Sequence, residues 1–127
     1  MEKLGRIGWI DLTVPDADRV RDFYQHIVGW TPSGVDMGGY QDYCMVPNGA
    51  QEPVAGICHS RGANAALPPV WLIYISVSDM EESIRRCLER GGKLRTQIQS
   101  MGSQGRYCVI EDPAGAVSAL FEPSKQM

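Results

Sequence analysis

Two residues of this 127-residue chain that could do chemistry lie on short segments that share one pattern. DLTVPD begins at Asp11, and YISVSD repeats its pattern 63 residues later, beginning at Tyr74. A carboxylate at the first position can act as a general base or receive a ligand amine or hydroxyl, and a phenol can act as an acid. Asp11 and Tyr74 are therefore the candidate catalytic residues.

Four other side chains are of types that can take part in binding or catalysis. His59 and Glu122 also stand 63 residues apart, and both are metal-ligating types. Arg106 could present a guanidinium fork to an anion, or it could lie in solvent on a hairpin. His26 falls in a helical segment and is expected to be solvated or to cap that helix.

Composition excludes several classes of function. The net charge is −3 and the four cysteines form no CxxC pair. No basic cluster indicates a nucleic-acid partner, and no apolar run is long enough to cross a membrane. Widely spaced thiols are typical of reduced cysteines in the cytoplasm, and no secretory signal follows Met1, so a cytoplasmic location is expected.

The elements that must position these residues come in two copies. Each copy reads as a strand, a helix that begins after Asp16 or Asp79 and ends at a glycine, and then three further strands. The first βαβββ repeat covers about 5–60 and the second about 69–123, with an Ala/Pro-rich linker between them. The segment DYCMVPNGA of the first copy is matched with RYCVIEDPAG of the second.

The repeated units and their short motifs, taken in order, resemble the vicinal oxygen chelate superfamily. That superfamily includes glyoxalase I, extradiol dioxygenases and bleomycin-resistance proteins. The resemblance extends to small predicted enzymes related to lactoylglutathione lyase. It is carried by Val14-Pro15-Asp16, Phe23-Tyr24, Gly29-Trp30, Gly105-Arg106 and Asp112-Pro113-Ala114-Gly115. It implies a single α+β domain in which two βαβββ repeats form a curled eight-stranded pair of half-barrels, with helices outside and a ligand cavity between.

The resemblance also implies where a metal would bind. The four ligand positions of metal-using members fall here on Trp9, Leu72, Gly56 and Ala119. None of these side chains offers the nitrogen or oxygen that a divalent ion requires. We therefore predict no metal and no cofactor. His59 and Glu122 are the alternative metal ligands, and strand alternation turns both away from the cavity.

Strand alternation extends the set of cavity residues, because residues two apart share a face. The predicted ligand-binding residues are Trp9, Thr13, Cys58, Leu72, Ser76, Arg106, Ala119 and Phe121, in addition to Asp11 and Tyr74. The opposite, aliphatic face is expected to pack on the helices.

Three functions are compatible with this pattern. The first is a metal-free protein that binds a small organic molecule between aromatic walls, and the second is a metal-independent lyase or isomerase with Asp11 as base. A metal-dependent glyoxalase or dioxygenase is the third, and the substituted ligand positions argue against it. The resemblance further implies a homodimer.

Overall fold

The computed structural model describes residues 4–124 of the chain. Over this range the fold is α+β, with two helices, α1 (Ala17–Val28) and α2 (Met80–Glu89). The strands are β1 (Ile7–Val14), β2 (Thr31–Asp36), β3 (Gln41–Val46), β4 (Ala55–His59), β5 (Trp71–Ser76), β6 (Lys93–Leu94), β7 (Gln99–Ser100), β8 (Gly105–Glu111) and β9 (Val117–Pro123). Two short 3-10 turns lie at Gly62–Asn64 and Gly102–Gln104. Neither helix in this range has the length and apolar character to span a membrane.

The chain divides into two compact units. Residues 9–71 form the first unit, in which the strands lie in the order β2-β3-β4-β1 and only the β1–β4 pair is parallel. Alternation along these strands sends one set of apolar side chains towards α1. This core consists of Leu12, Val14, Ala17, Tyr43, Met45 and Ile57.

Helix α1 has clear start and stop signals. The carboxylate of Asp16 accepts a hydrogen bond from the backbone N–H of Arg19 at 3.3 Å, which satisfies one of the donors exposed at a helix N-terminus. Gly29 ends the helix in the left-handed conformation, with φ 78°, which an L-residue with a side chain rarely adopts. Trp30 and Trp71 pack against the first-unit core.

Residues 4–8 and 72–124 form the second unit. Here β5 pairs in parallel with β9, β9 pairs with β8, and β8 pairs with both β6 and β7. The core consists of Met80, Cys108 and Leu120, with α2 capped by Asp79 through the N–H of Glu82 at 3.1 Å. The repeat predicts one strand between α2 and β8, and the structure has two short pieces there, β6 and β7.

The pairing registers confirm the 63-residue repeat for four strands. Asp11 lies opposite Gly56 in the first unit, and Tyr74 lies opposite Ala119 in the second. Each member of the second pair is 63 residues beyond its counterpart. The two units are therefore built on one strand pattern.

The sequence match between DYCMVPNGA and RYCVIEDPAG is wrong by one residue. Tyr43 pairs with Ile57, whose repeat equivalent is Leu120, and Leu120 pairs with Cys108. Tyr43 is thus equivalent to Cys108 and not to Tyr107. A shift of one residue moves a side chain to the other face of a strand. Tyr43 therefore lies on the helix-packed face of its sheet, whereas Tyr107 lies on the face of its sheet that points away from the helix.

Candidate functional site

The predicted site residues of the first unit lie together on the sheet face that points away from α1. Because Leu12 and Val14 face the helix, the alternate residues of β1 face the other way. The pairing of Cys44 with Gly56 adds alternate residues of β3 and β4 to that side. We call this surface the Asp11 face, and it consists of Trp9, Asp11, Thr13, Asp42, Cys44, Gly56 and Cys58.

Gly56 forms the floor beneath Trp9 and Asp11. A Cβ atom placed on Gly56 would lie 3.1 Å from Cβ of Asp11 and 3.4 Å from Cζ2 of Trp9. Because Gly56 has no side chain, the side chains of Trp9 and Asp11 can pack directly against the backbone of β4. Asp11 is 8% exposed and Trp9 is half-buried.

Burial and nearby aspartates affect the two thiols of the Asp11 face. Burial raises the pKa of the Cys58 thiol far above its usual value, and the charges of Asp11 and Asp42 raise it further. Burial and Asp11 raise the pKa of Cys44 in the same way. Both thiols therefore stay protonated at neutral pH, and neither is a thiolate nucleophile.

Asp42 and Cys44 are functional-site candidates that sequence reasoning missed. Asp42 is buried, and its Oδ1 atom accepts a hydrogen bond from the backbone N–H of His59 at 2.8 Å. The signal lies in the register of the β3–β4 hairpin, which places both residues beside Gly56 and Cys58. That register could not be read from the sequence because the turn between the two strands is long.

His59 is held between two carboxylates beside α1. Its Nδ1 atom lies 3.2 Å from Oδ1 of Asp42, and its Nε2 atom lies 3.7 Å from Oδ1 of Asp18. The hydroxyl of Tyr43 donates to the same Asp18 oxygen at 2.5 Å, and this bond lowers the pKa of Asp18 while it raises that of Tyr43. The imidazole thus packs against helix-side residues.

The second unit brings together another set of predicted residues on a face that we call the Tyr74 face. The rings of Tyr74 and Tyr107 are tilted against each other with centroids 5.9 Å apart. Ala119 lies opposite Tyr74 in the register, and Phe121 lies opposite both Ser76 and Tyr107. Leu72 is buried two residues before Tyr74 on the same strand, so the Tyr74 face is largely apolar and aromatic.

Arg106 is separate from the Tyr74 face. It lies opposite Glu122 in the β8–β9 register, on the side of α2. Its Nε atom donates to Oε1 of Glu122 at 2.7 Å, and its terminal nitrogens donate to Glu81 at 2.7 and 2.9 Å. These two carboxylates raise the pKa of Arg106, and in return Arg106 lowers the pKa of each. The guanidinium is therefore paired with two carboxylates beside α2, and its predicted role in ligand binding stays a prediction.

Glu122 has a second structural partner. Its Oε2 atom accepts a hydrogen bond from the backbone N–H of Met80, the first residue of α2, at 2.8 Å. Oxygen atoms of Asp79, Glu81 and Glu122 lie within 4.8 Å of one another, and among the described residues 4–124 they are the group close enough to share a cation. Since Arg106 occupies two of these carboxylates, the group is an ion-paired helix terminus.

The profile of the Glyoxalase/Bleomycin resistance protein/Dioxygenase superfamily matches residues 6–119. The chain belongs to this superfamily. The putative glyoxylase CFP32 of Mycobacterium tuberculosis is 28% identical over 127 residues, which cover 97% of this chain and 48% of the relative. The anthracycline biosynthesis protein DnrV of Streptomyces peucetius is 30% identical over 118 residues, which cover 93% and 42%. The chain spans about half the length of these curated relatives.

Solved structures share the fold at low sequence identity. Methylmalonyl-CoA epimerase from Mycobacterium tuberculosis matches with a TM-score of 0.57 and 18% identity, covering 98% of this chain and 93% of that one. The Mn(II)-bound glyoxalase from Novosphingobium aromaticivorans matches with a TM-score of 0.56 and 16% identity, covering 100% and 43%. At this identity the likeness establishes the glyoxalase-like fold and no more.

The residues at the four positions where the resemblance puts metal ligands do not fit a metal. The first unit presents Trp9 and Gly56, and the second presents Leu72 and Ala119. An indole, an isobutyl group, a hydrogen and a methyl have no donor atom for a divalent ion. We derive no chemical step through a metal at these positions.

Proposed function

We propose that this protein binds a small organic molecule on the Asp11 face without a metal. The observation that supports the proposal is the placement of a half-buried indole and a buried carboxylate side by side on one sheet face, both against Gly56. A planar apolar wall with a few convergent polar groups is typical of small-molecule sites. The superfamily's implied ligand positions include Trp9 and Gly56, which supports the same location.

The names of the relatives support a small-molecule role without selecting the ligand. One relative is named for anthracycline biosynthesis, another is a putative glyoxylase, and solved neighbours with the fold are epimerases of a coenzyme A thioester or a glyoxalase. The compounds in these names differ from one another, so the names do not indicate one shared ligand. The ligand of this chain must therefore be inferred from its own side chains, and we retain the cytoplasmic homodimer as an expectation.

A metal-independent lyase or isomerase is the second candidate function. It is favoured by the burial of Asp11, because a carboxylate away from solvent can be tuned to accept a proton from a bound substrate. In that mechanism Asp11 would take a proton from carbon next to a carbonyl and return it at another position. The Cys44 and Cys58 thiols would stay neutral throughout.

Calorimetric titration with a panel of aromatic compounds tests the proposed function. We expect binding that Trp9→Phe weakens and that Trp30→Phe leaves unchanged, since Trp30 packs in the core against α1. If Trp30→Phe weakened binding and Trp9→Phe did not, the site would lie elsewhere. Asp11→Asn then separates the two candidates: an enzyme loses turnover of a bound substrate while it keeps affinity for it.

A further inference from the structure

We propose that Asn48 is a site of spontaneous covalent modification, at which the Asn48–Gly49 pair rearranges through a succinimide to aspartate and isoaspartate. The pair lies in the turn that follows β3, on the connection to β4. This connection lies outside the Asp11 face, so the inference does not depend on the proposed function.

The turn holds the pair in an exposed position. The backbone N–H of Ala50 donates a hydrogen bond to the carbonyl of Pro47 at 3.0 Å, which closes a four-residue turn with Asn48 and Gly49 at its centre. Both central residues are exposed, and Gly49 has φ 81°, a conformation that favours glycine. Water therefore has access to the reacting groups.

The reaction needs only these two residues and water. The backbone nitrogen of Gly49 loses its proton and attacks Cγ of Asn48, which forms a C–N bond and a five-membered ring. The bond from Cγ to Nδ2 breaks, and the side-chain nitrogen leaves as ammonia. Water then opens the ring at Cγ to give aspartate, or at the main-chain carbonyl carbon to give isoaspartate. The net change replaces an amide by a carboxylic acid, without oxidation or reduction.

The reacting groups of the pair are not held by other contacts. Within residues 4–124, the N–H of Gly49 and the carboxamide of Asn48 make no hydrogen bond to another protein group. A Cβ atom placed on Gly49 would meet nothing within 4 Å, and glycine itself has no side chain to hinder its nitrogen. Because the two reacting atoms belong to neighbouring residues, the attack is intramolecular, which favours it over a bimolecular one.

Asn64, the other asparagine of the chain, lacks these features. It is half-buried and is the last residue of the 3-10 turn Gly62–Asn64. The residue after it is Ala65, whose N–H donates to the carbonyl of Gly62 at 3.1 Å. Attack by this nitrogen would break that hydrogen bond and bring a methyl group close to the forming ring. Asn64 should therefore react far more slowly, and it serves as the internal control.

The modified chain should stay folded. Met45 and Ile57 lie in the two strands that flank the connection, and both are completely buried in the core. The additional main-chain methylene of isoaspartate falls between these strands, on a surface connection that can accommodate it. Either product adds one negative charge to a chain whose net charge is −3.

Ageing of the purified protein at neutral and at mildly alkaline pH tests the proposal. Peptide mapping by mass spectrometry should show conversion of Asn48, with isoaspartate among the products. Conversion should be at least about tenfold faster than at Asn64, which corresponds to about 1.4 kcal/mol in activation free energy. The rate should rise with pH, because the attacking nitrogen must first lose its proton. Asn48→Gln keeps an amide in the turn and should stay unmodified, since its ring would need one more atom.

The outcomes decide the proposal on the unaltered protein. Equal rates at the two asparagines, or no conversion of Asn48 in the folded chain, would overturn it. Aspartate without isoaspartate would also overturn it, because direct hydrolysis of the amide gives aspartate alone. Circular dichroism of the aged protein should match that of the fresh protein, and a loss of structure in step with conversion would contradict a modification that the surface turn accommodates. None of these results bears on ligand binding at the Asp11 face.

Discussion

Single residues set how closely the groups of the Asp11 face approach the sheet. Gly56 has an ordinary strand conformation, so it is not needed for a backbone angle that other residues cannot adopt. What it provides is space, because any Cβ atom would meet Asp11 and Trp9. Substitution of Gly56 therefore tests whether stability and binding depend on the close packing of Asp11 and Trp9 against the sheet.

We expect Gly56→Ala to destabilise the protein by about 1 kcal/mol, since overpacking a filled position forces neighbours to move. The added Cβ atom would lie 3.1 Å from Cβ of Asp11, which cannot swing away as a side-chain end can. Ligand affinity should fall with it because Trp9 would be lifted off the floor. Urea unfolding and calorimetry measure the two effects.

Gly8→Ala is the control for that substitution. Gly8 also lies in a strand, and a Cβ atom placed there meets nothing within 4 Å. Its replacement should leave stability and binding close to those of the unaltered chain. A Gly56→Ala protein as stable as Gly8→Ala would show that the contacts above Gly56 are loose and that the proposed site is wrongly described.

At the scale of elements, a side chain from β9 holds the start of α2. Glu122 accepts the N–H of Met80 and the guanidinium of Arg106 with separate oxygens, so one carboxylate joins β9, α2 and β8. Its side chain is only 15% exposed. Hydrogen bonds to a charged group contribute more than neutral ones, and their loss leaves a buried donor unsatisfied.

We expect Glu122→Gln to lower the free energy of unfolding by about 1.5 kcal/mol, because one charge-assisted bond is lost and the other becomes neutral. Glu89→Gln is the control: Glu89 is exposed at the other end of α2 and pairs only with Arg85 among the described contacts. It should cost no more than about 0.5 kcal/mol. Chemical unfolding of both variants gives the comparison.

The pH dependence of this difference is a second check. Arg106 and the N–H of Met80 lower the pKa of Glu122 in the folded protein, so its contribution is fully present above the ordinary glutamate pKa of about 4.3. That contribution is lost as the pH falls through the lowered value. The gap between the native chain and Glu122→Gln should therefore close in acid, and a gap that widened would contradict the assignment.

Particular elements show what the sequence could predict and what it could not. The α+β class, the start and end of α1, and the shared face of Trp9, Asp11 and Gly56 follow from strand alternation and the repeat. The contacts of Arg106 with Glu81 and Glu122 did not, because they depend on how β8, β9 and α2 pack. The match of Tyr43 with Tyr107 was also wrong, because it hid a one-residue shift between the copies. Hairpin register depends on turn geometry, which residue types alone did not determine here.

At the scale of the whole molecule, the chain keeps the superfamily's fold and replaces the side chains at all four implied metal positions. Its curated relatives are about twice as long, so each of them has a large region that this chain does not match. What the chain shares with them is a strand framework. The proposed binding would depend on the residues that this framework carries, and those residues differ between the Asp11 face and the Tyr74 face.

A metal titration tests this view of the whole protein. A divalent ion bound to the folded state at a hundred times its Kd would add about 2.7 kcal/mol, which should raise the Tm by several degrees. We expect Mn²⁺, Ni²⁺ and Zn²⁺ to leave the Tm unchanged relative to a sample with chelator. A shift that disappears in Glu122→Gln would place the ion at the acidic start of α2 and displace Arg106 from its partners. A shift that persists in that variant would put an ion elsewhere, and the metal-free description of the binding face would then be wrong.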